Sequence, residues 1–166
     1  MIILVKGTPD SGKSALAEKI ACDLSEPENR IYLATMIAYD DAGRQRILKH
    51  RKMRENKGFE TIEKPYDIGA LTGEWKDKTI LLECISNLVG NEMYENESRK
   101  NFPIDYLTDL ILADILRLAK LAGNMVIVTN SFEKEAFFDE ATCRYIDAID
   151  VMNEKLQKIA DRVECV

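Results

Sequence analysis

Apolar residues along this chain fall into short runs, which are separated by longer stretches with helical spacing. Residues 1–6 form the first short run, and a glycine-bounded loop follows it, which predicts a buried strand. Similar runs predict further strands at 31–35, 79–84, 125–130 and 162–166. Apolar residues at helical spacing predict helices at 14–24, 105–122 and 140–160.

Three stretches carry no regular apolar pattern. Asp40 and Asp41 can cap a helix that carries most of a basic cluster. Residues 56–78 contain three glycines and one proline and are predicted to be irregular. Residues 91–102 are polar and predict a connection between elements. The basic cluster consists of Arg44, Arg46, Lys49, Arg51, Lys52, Arg54 and Lys57.

The alternation of strands and helices predicts an α/β fold, with a mostly parallel central sheet and helices on both faces. The length fits one ordinary domain, and no repeat or linker divides it, so residues 1–166 are expected to form a single domain. Ligands of such sheets bind outside the carboxyl ends of the strands. One rim of the sheet is therefore expected to carry the site, because four notable residues fall at or just after predicted strand ends: Lys13, Thr35, Glu83 and Asn130.

The loop after the first predicted strand reads Gly7-Thr8-Pro9-Asp10-Ser11-Gly12-Lys13-Ser14. It matches the pattern G-x-x-x-x-G-K-[ST], in which backbone N–H groups at a helix N-terminus cradle phosphate oxygens. Lys13 is expected to reach the β- and γ-phosphates, and the Ser14 hydroxyl is expected to bind Mg²⁺. Because the loop lies between a strand and a helix, it predicts a P-loop NTPase-like three-layer sandwich that binds a nucleoside triphosphate.

Composition narrows the classes of partner. Hydrophobic residues make up 46% of the chain and charged residues 31%, and the net charge is −6, which is typical of a globular protein and argues against nucleic acid as the main partner. No apolar run is long enough to span a membrane, and the short apolar N-terminus is not expected to be a signal peptide, so a cytoplasmic location is expected. The four cysteines are expected to be reduced and buried. A single histidine without a Cys/His cluster argues against structural zinc.

Two further residues are candidates for chemistry. Glu83 ends an apolar strand, where the acidic partner of a P-loop magnesium ion is commonly found, although an ordinary strand-end carboxylate fits the same position. Arg46, His50 and Arg54 are spaced four residues apart and share one helix face. A histidine between two arginines can meet a phosphate as base or nucleophile, whereas spacing alone favours a solvated basic helix. The motifs N-K-x-D and D-x-x-G and the protein-kinase signatures are absent, so a signalling GTPase is not expected.

Over most of its length the chain resembles the bifunctional adenosylcobinamide kinase / adenosylcobinamide-phosphate guanylyltransferase family of cobalamin biosynthesis. The combination of a histidine-bearing helix with L-L-[DE]-C is specific to that family among the P-loop families known to us. The matching segments occur in order: the opening strand with S-G-K-S (2–14), Y-[IL]-A-T (32–35), D-D followed by R-I-x-x-H-[KR] (40–51), a further arginine (Arg54), T-x-E (61–63), L-L-[DE]-C (81–84) and V-T-N (128–130).

The resemblance implies two reactions. A kinase step transfers the γ-phosphoryl group of a nucleoside triphosphate to the aminopropanol hydroxyl of adenosylcobinamide. In a guanylyltransferase step a histidine, matched here by His50, attacks the α-phosphate of GTP, releases pyrophosphate and passes GMP to the phosphorylated acceptor. The resemblance further implies GTP and ATP as substrates, Mg²⁺ bound by Ser14 and Glu83, and a homo-oligomer. The implied nucleotide-binding residues are Gly7, Thr8, Pro9, Asp10, Ser11, Gly12, Lys13, Ser14, Ala34, Thr35, Met36, Arg46, Arg51, Lys52, Met53, Arg54, Glu63 and Glu83.

Two other hypotheses remain open from the sequence. Residues 131–138 differ from the glycine-containing loop that usually follows V-T-N, which suggests a P-loop kinase for another small alcohol. Asp10 in the phosphate loop, and a last strand without the family's usual tail, suggest a non-catalytic nucleotide-binding relative. Fold alone does not decide among these alternatives, because function depends on the site.

Overall fold

A computed structural model describes all 166 residues and contains six strands and five α-helices, besides two short 3-10 turns at Pro27–Asn29 and Ile68–Ala70. In chain order the elements are β1 (Ile2–Gly7), α1 (Lys13–Asp23), β2 (Arg30–Ala34), α2 (Asp41–Met53), β3 (Phe59–Glu63), β4 (Thr79–Glu83), α3 (Ile85–Tyr94), α4 (Ile104–Leu121), β5 (Asn124–Asn130), α5 (Glu140–Ile159) and β6 (Arg162–Cys165).

The six strands form one sheet in the order β3-β2-β4-β5-β1-β6. Every neighbouring pair is parallel, and the ends of the central strands are in register, with Glu83 of β4 opposite Ala34 of β2 and Val128 of β5. The carboxyl ends of the strands therefore meet at one edge, as the predicted α/β fold requires. No helix is both long enough and apolar enough to cross a membrane.

Helices cover both faces of the sheet, because alternate residues of each central strand point to opposite sides. Ile3, Leu81 and Val126 pack with α1 on one face, and a larger cluster on the other face joins alternate strand residues with α3, α4 and α5. The predicted three-layer sandwich is confirmed. In contrast, α2 is exposed over most of its surface, and Gly43 is its only buried residue.

Two elements were not predicted. Residues 56–78, expected to be irregular, contain β3, which pairs with β2 at the edge of the sheet. Three of its five side chains are exposed, so it lacks the apolar run by which the central strands are recognisable. The helix α3 begins directly after β4 and continues into the polar stretch at 91–102. It was missed because buried polar residues, Ser86, Asn91 and Glu92, interrupt its apolar spacing.

The predicted α1, α4 and α5 differ from the observed helices by at most one residue at each end. Capping explains two helix starts, since Asp40 accepts a hydrogen bond from the Gly43 N–H at 2.7 Å and Asp139 accepts one from the Thr142 N–H at 2.7 Å. The burial predicted for the cysteines is right for Cys84 but wrong for Cys165. The latter is exposed because β6 is an edge strand with little chain packed over it.

A group of charges around the buried Glu92 joins α3 to α4 and to the segment before Ile68. We call it the Arg99 cluster: Arg99 lies 2.8 Å from Asp114, 3.3 Å from Glu92 and 3.7 Å from Asp67. Glu92 is fully buried and also accepts hydrogen bonds from the backbone N–H of Asp67 and the carboxamide of Asn96, each at 2.7 Å. Each polar group of this cluster therefore has partners within the chain.

Candidate nucleotide-binding and transfer site

The phosphate loop connects β1 to α1 and takes its shape from residues that tolerate unusual backbone angles. Asp10 and Gly12 adopt positive φ values of 59° and 90°, which aspartate tolerates better than most side chains and glycine adopts freely. Gly7 must also lack a side chain, because a Cβ atom there would lie 2.5 Å from the Ser11 hydroxyl oxygen. The first turn of α1 thus presents its free N–H groups at the edge of the sheet, as expected for an anion site.

Lys13 is buried at the base of this loop, and its ammonium donates a hydrogen bond to the carbonyl of Thr8 at 2.8 Å. Burial lowers the pKa of Lys13, and electrostatic interactions with Cys84, Glu83 and Asp10 partly oppose this effect. Its single protein partner is a neutral carbonyl, so the ammonium is available to a phosphate. This is the position in which the sequence predicts a contact with the β- and γ-phosphates.

Glu83 connects the phosphate loop to α2. One carboxylate oxygen, Oε1, accepts a hydrogen bond from the Ser14 hydroxyl and lies 3.4 Å from Nδ1 of His50. The other oxygen accepts a hydrogen bond from the Tyr32 hydroxyl at 3.1 Å. Burial alone would raise the pKa of Glu83, but the contacts with His50, Ser14 and Tyr32 outweigh burial and lower it. The group is therefore held as a carboxylate between the two predicted reactive centres.

Thr35 fixes the position of Glu83 rather than contacting the cavity. Its backbone N–H donates to the Glu83 carbonyl at 3.1 Å. Its hydroxyl accepts a hydrogen bond from the Cys84 N–H at 2.8 Å and donates one to the Cys84 carbonyl at 2.9 Å. These bonds join the ends of β2 and β4, so the residue supports the site from behind.

Arg54 lies just after α2 and packs against the same group of residues. Its guanidinium lies 3.3 Å from the centre of the Tyr32 ring, in a cation–π contact, and donates a hydrogen bond to the His50 carbonyl at 2.8 Å. Burial lowers the pKa of Arg54. No carboxylate pairs with it, whereas the neighbouring Arg51 pairs with Glu63 at 2.7 Å.

These residues surround a cavity of about 410 Å³ at the carboxyl edge of the sheet. Its two ends differ in chemistry. The basic end is formed by α2 and contains Arg46, Lys49, His50, Arg51 and Arg54. The amide end lies towards β5 and contains Cys84, Asn87, Val128 and Asn130. The phosphate loop and Glu83 line the same cavity, so a triphosphate bound at the loop can also contact the basic end.

Most of the predicted site residues line this cavity. The exceptions are Gly7, Thr8, Ser11, Thr35 and Lys52, of which the first three shape the phosphate loop. Sequence reasoning missed Tyr32 and Asn87. Tyr32 opens the Y-[IL]-A-T segment, but its hydrogen bond to Glu83 depends on strand pairing; Asn87 carries no signal in the sequence. The cavity-lining members of the predicted set are Pro9, Asp10, Gly12, Lys13, Ser14, Ala34, Met36, Arg46, His50, Arg51, Met53, Arg54, Glu63 and Glu83.

A parallel sheet with a glycine-rich loop between β1 and α1, and an acidic residue ending β4, which is separated from β1 by β5 alone, defines a P-loop nucleotide-binding protein. Two solved structures share the fold at low sequence identity. One is described as an ATPase domain; it is 14% identical, with a TM-score of 0.52, and the match covers 99% of this chain and 68% of that one. The flagellar accessory protein FlaH from Methanocaldococcus jannaschii is 15% identical, with a TM-score of 0.54, covering 99% and 70%.

The profile of one family, cobinamide kinase / cobinamide phosphate guanyltransferase, matches residues 3–166. The chain therefore belongs to this family and is a kinase and guanylyltransferase of cobalamin biosynthesis. No curated protein matches it. The family match thus confirms the resemblance deduced from the motifs.

Proposed function

We propose that guanylyl transfer by this enzyme proceeds through a covalent bond between GMP and His50, in the same cavity that binds the triphosphate for the kinase step. The observation that carries the proposal is the position of His50. Its Nδ1 lies 3.4 Å from the carboxylate oxygen that also accepts the Ser14 hydrogen bond. The only histidine of the chain is therefore adjacent to the phosphate loop.

The contact with Glu83 also selects the reactive nitrogen. A carboxylate facing Nδ1 keeps a proton there, so Nε2 carries the lone pair and is the nucleophile. When Nε2 attacks the α-phosphorus of GTP, an N–P bond forms, the bond between the α-phosphorus and the bridging oxygen breaks, and pyrophosphate leaves. A phosphate oxygen of the acceptor then forms a bond to the same phosphorus, the N–P bond breaks, and His50 regains its lone pair.

Charges at the basic end suit this chemistry. Arg46, Lys49 and Arg54 have no carboxylate partner within the chain, and all three line the cavity with His50. Fixed cations beside a phosphate stabilise the negative charge that develops in the transition state. We propose that these side chains hold the α- and β-phosphates during attack by His50, and that Lys13 holds the γ-phosphate during the kinase step.

Ser14 and Glu83 fit a magnesium ion, since a hydroxyl and an ionised carboxylate are the hard oxygen donors that Mg²⁺ prefers. No group of three or more His, Cys, Asp or Glu side chains in the chain could hold a metal ion. This agrees with an ion that takes its remaining ligands from phosphates and water. Bound there, Mg²⁺ would neutralise charge on the transferring phosphoryl group.

The domain organisation, location and oligomeric state of the protein are also part of this proposal. We propose that residues 1–166 act as a single domain, that the protein works in the cytoplasm, where GTP and ATP are available, and that it is a homo-oligomer. Light scattering of the purified protein measures the oligomeric state directly, and a monomeric mass would contradict this part of the proposal.

Labelled GTP tests the covalent intermediate. Incubation of the protein with α-labelled GTP and Mg²⁺ should attach label in an acid-labile, base-stable form, and the His50→Ala variant should acquire none. Gln45→Ala is the matched control, since Gln45 lies on the exposed surface of the same helix and outside the cavity. If wild-type protein transfers GMP to cobinamide phosphate without ever carrying label, the histidine intermediate is wrong.

The same variant tests the alternative function, a P-loop kinase for another small alcohol. A kinase alone needs Lys13 but not His50, so its turnover of nucleotide would survive His50→Ala. Loss of GMP transfer together with retained cobinamide phosphorylation in His50→Ala supports the two-step enzyme.

A further inference from the structure

The amide end of the cavity is unexplained by nucleotide binding. It lies on the far side of β4 from β2 and β3, because β5 follows β4 in the sheet order. Its polar side chains are the neutral carboxamides of Asn87 and Asn130, set beside Cys84 and Val128. A phosphate binds more favourably to the cations of the basic end. The amide end therefore suits a neutral ligand with hydrogen-bonding groups.

The side chain of Asn130 is fixed in place. Its Nδ2 donates a hydrogen bond to the Ser86 hydroxyl at 2.6 Å, and its backbone carbonyl accepts one from the Asn153 carboxamide at 2.9 Å. Ser86 is held in turn by Tyr145, whose hydroxyl donates to the Ser86 carbonyl at 3.0 Å. These bonds leave Oδ1 of Asn130 without a partner within the chain.

Asn87 is the second carboxamide residue at the amide end. It lies in the first turn of α3, directly after the strand that carries Glu83, and it is half-buried. Its carboxamide lines the cavity and makes no hydrogen bond to any other group of the chain. Because this carboxamide is only half-buried, a ligand can take the place of water as its hydrogen-bond partner.

We propose that Asn87 and Asn130 position the acceptor in both transfer steps, by hydrogen bonds to the amide and the hydroxyl of its aminopropanol arm. This inference rests on the proposed function, since it assumes that the nucleotide occupies the phosphate loop and the basic end. A carboxamide offers both donors and an acceptor, so it matches an arm that carries an amide and an alcohol. The two asparagines are positioning and specificity residues and do not take part in bond making.

The size of the cavity limits what can enter. A cavity of about 410 Å³ is in the lower part of the range for small-molecule sites, so we place only the arm near the phosphates and the ring outside the cavity. In the kinase step the arm's hydroxyl oxygen forms a bond to the γ-phosphorus. The bond from that phosphorus to the bridging oxygen breaks, the nucleoside diphosphate leaves, and the hydroxyl proton passes to solvent. In the second step the arm's new phosphate takes the place of the γ-phosphate near Lys13.

The Asn87→Ala variant tests the proposal, because it removes a carboxamide that has no internal partner. The label transferred from α-labelled GTP to His50 needs no acceptor, so its rate should stay within about twofold of wild type. The KM for cobinamide and for cobinamide phosphate should each rise by up to about tenfold, the effect expected from the loss of one hydrogen bond. Asn101→Ala, at an exposed asparagine far along the chain, is the matched control and should change neither.

Two results would overturn the proposal: an unchanged KM for both acceptors, or a fall in labelling by GTP as large as the loss of acceptor turnover. If wild-type protein acquires no label, the histidine intermediate fails, but the KM for cobinamide in the kinase step still tests Asn87 by itself.

A second variant, Asn87→Asp, adds charge to the test. A carboxylate near the arm repels a phosphate more than it repels an alcohol. The KM for cobinamide phosphate should therefore rise more than the KM for cobinamide. An equal rise, or a larger rise for cobinamide, would place Asn87 away from the reacting end of the acceptor and contradict the proposal.

Discussion

Two buried carboxylates, Glu83 at the cavity and Glu92 in the Arg99 cluster, belong to regions with opposite electrostatics. Burial acts to raise the pKa of Glu83, but its contacts with His50, Ser14 and Tyr32 outweigh burial and lower it. The pKa of Glu92 is raised by burial, despite the hydrogen bonds from Asp67 and Asn96 and the charge of Arg99. In the Arg99 cluster one cation is matched by three carboxylates.

The cavity shows the reverse balance. At its basic end Arg46, Lys49 and Arg54 form no ion pair with a carboxylate, so their charges are available to an anion. The Arg99 cluster is complete by itself and holds α3, α4 and the segment before Ile68 together. The charges at the basic end are therefore available to bind a ligand, whereas those of the Arg99 cluster stabilise the fold. Removing one charge of each kind tests this difference.

The largest expected effect is on stability, from Arg99→Met. Removal of the cation leaves the buried Glu92 without its charged partner, and breaking a buried ion pair in this way typically costs about 3–5 kcal/mol. Urea unfolding followed by circular dichroism measures the change, and the turnover of the remaining folded protein should be close to wild type. A loss below about 1 kcal/mol would mean that the cluster contributes no more than a surface pair.

Lys13→Met should reverse this pattern. Loss of the ammonium at the phosphate loop is expected to reduce kcat/KM of the kinase step about 100-fold or more. The free energy of unfolding without nucleotide should stay close to wild type, because the ammonium has only the Thr8 carbonyl as a partner. Steady-state kinetics gives kcat/KM, and urea unfolding of the same preparation gives the free energy of unfolding. A loss of stability comparable to that of Arg99→Met would show that Lys13 stabilises the fold as well as binding phosphate.

A smaller effect is expected from Tyr32→Phe, which keeps the ring beneath Arg54 but removes the hydrogen bond to Glu83. The loss of one such bond is worth about 1 kcal/mol, or roughly a fivefold change in rate. If His50 is the nucleophile, as we propose, the rate of labelling by α-labelled GTP should fall by that factor, because Glu83 contacts Nδ1 of His50. Tyr106→Phe, at an exposed tyrosine of α4, serves as the control. A labelling rate equal to wild type in Tyr32→Phe would show that the Tyr32 hydroxyl does not contribute.

The smallest effect concerns pH. Because the folded-state pKa of Glu92 lies above its unfolded value of about 4.3, the folded protein binds more protons than the unfolded chain between the two values. Stability from this group therefore falls as pH rises from about 4.3 through the raised pKa. The free energy of unfolding of wild type relative to Glu92→Gln should decrease across that window in a pH series of urea unfolding curves. A difference that rises with pH would contradict the sign of the shift.

The sequence predicts the central strands and helices well, and most of the residues it selects for the site line one cavity; both results have a physical reason. Strands buried on both faces are continuous apolar runs, and the phosphate loop and the His50 helix are local patterns whose spacing carries their chemistry. The edge strand β3 and the helix α3 lack such patterns, since one is exposed and the other buries polar groups. The contact of Tyr32 with Glu83 and the position of Asn87 at the cavity could not be predicted, because they depend on the packing of segments that are distant along the chain.

The pairing of β1 has a consequence for how the protein is made. This strand supports the phosphate loop and is the first of the six to be synthesised, yet it pairs only with β5 and β6, more than 100 residues later. During translation β1 therefore has no strand to pair with until β5 and β6 have left the ribosome. Pairing between strands so far apart along the chain is slow. A chain released before β5 is made has no strand to pair with β1, and its phosphate loop lacks the support of the sheet. Nucleotide binding therefore requires that the strands at the far end of the domain have been made.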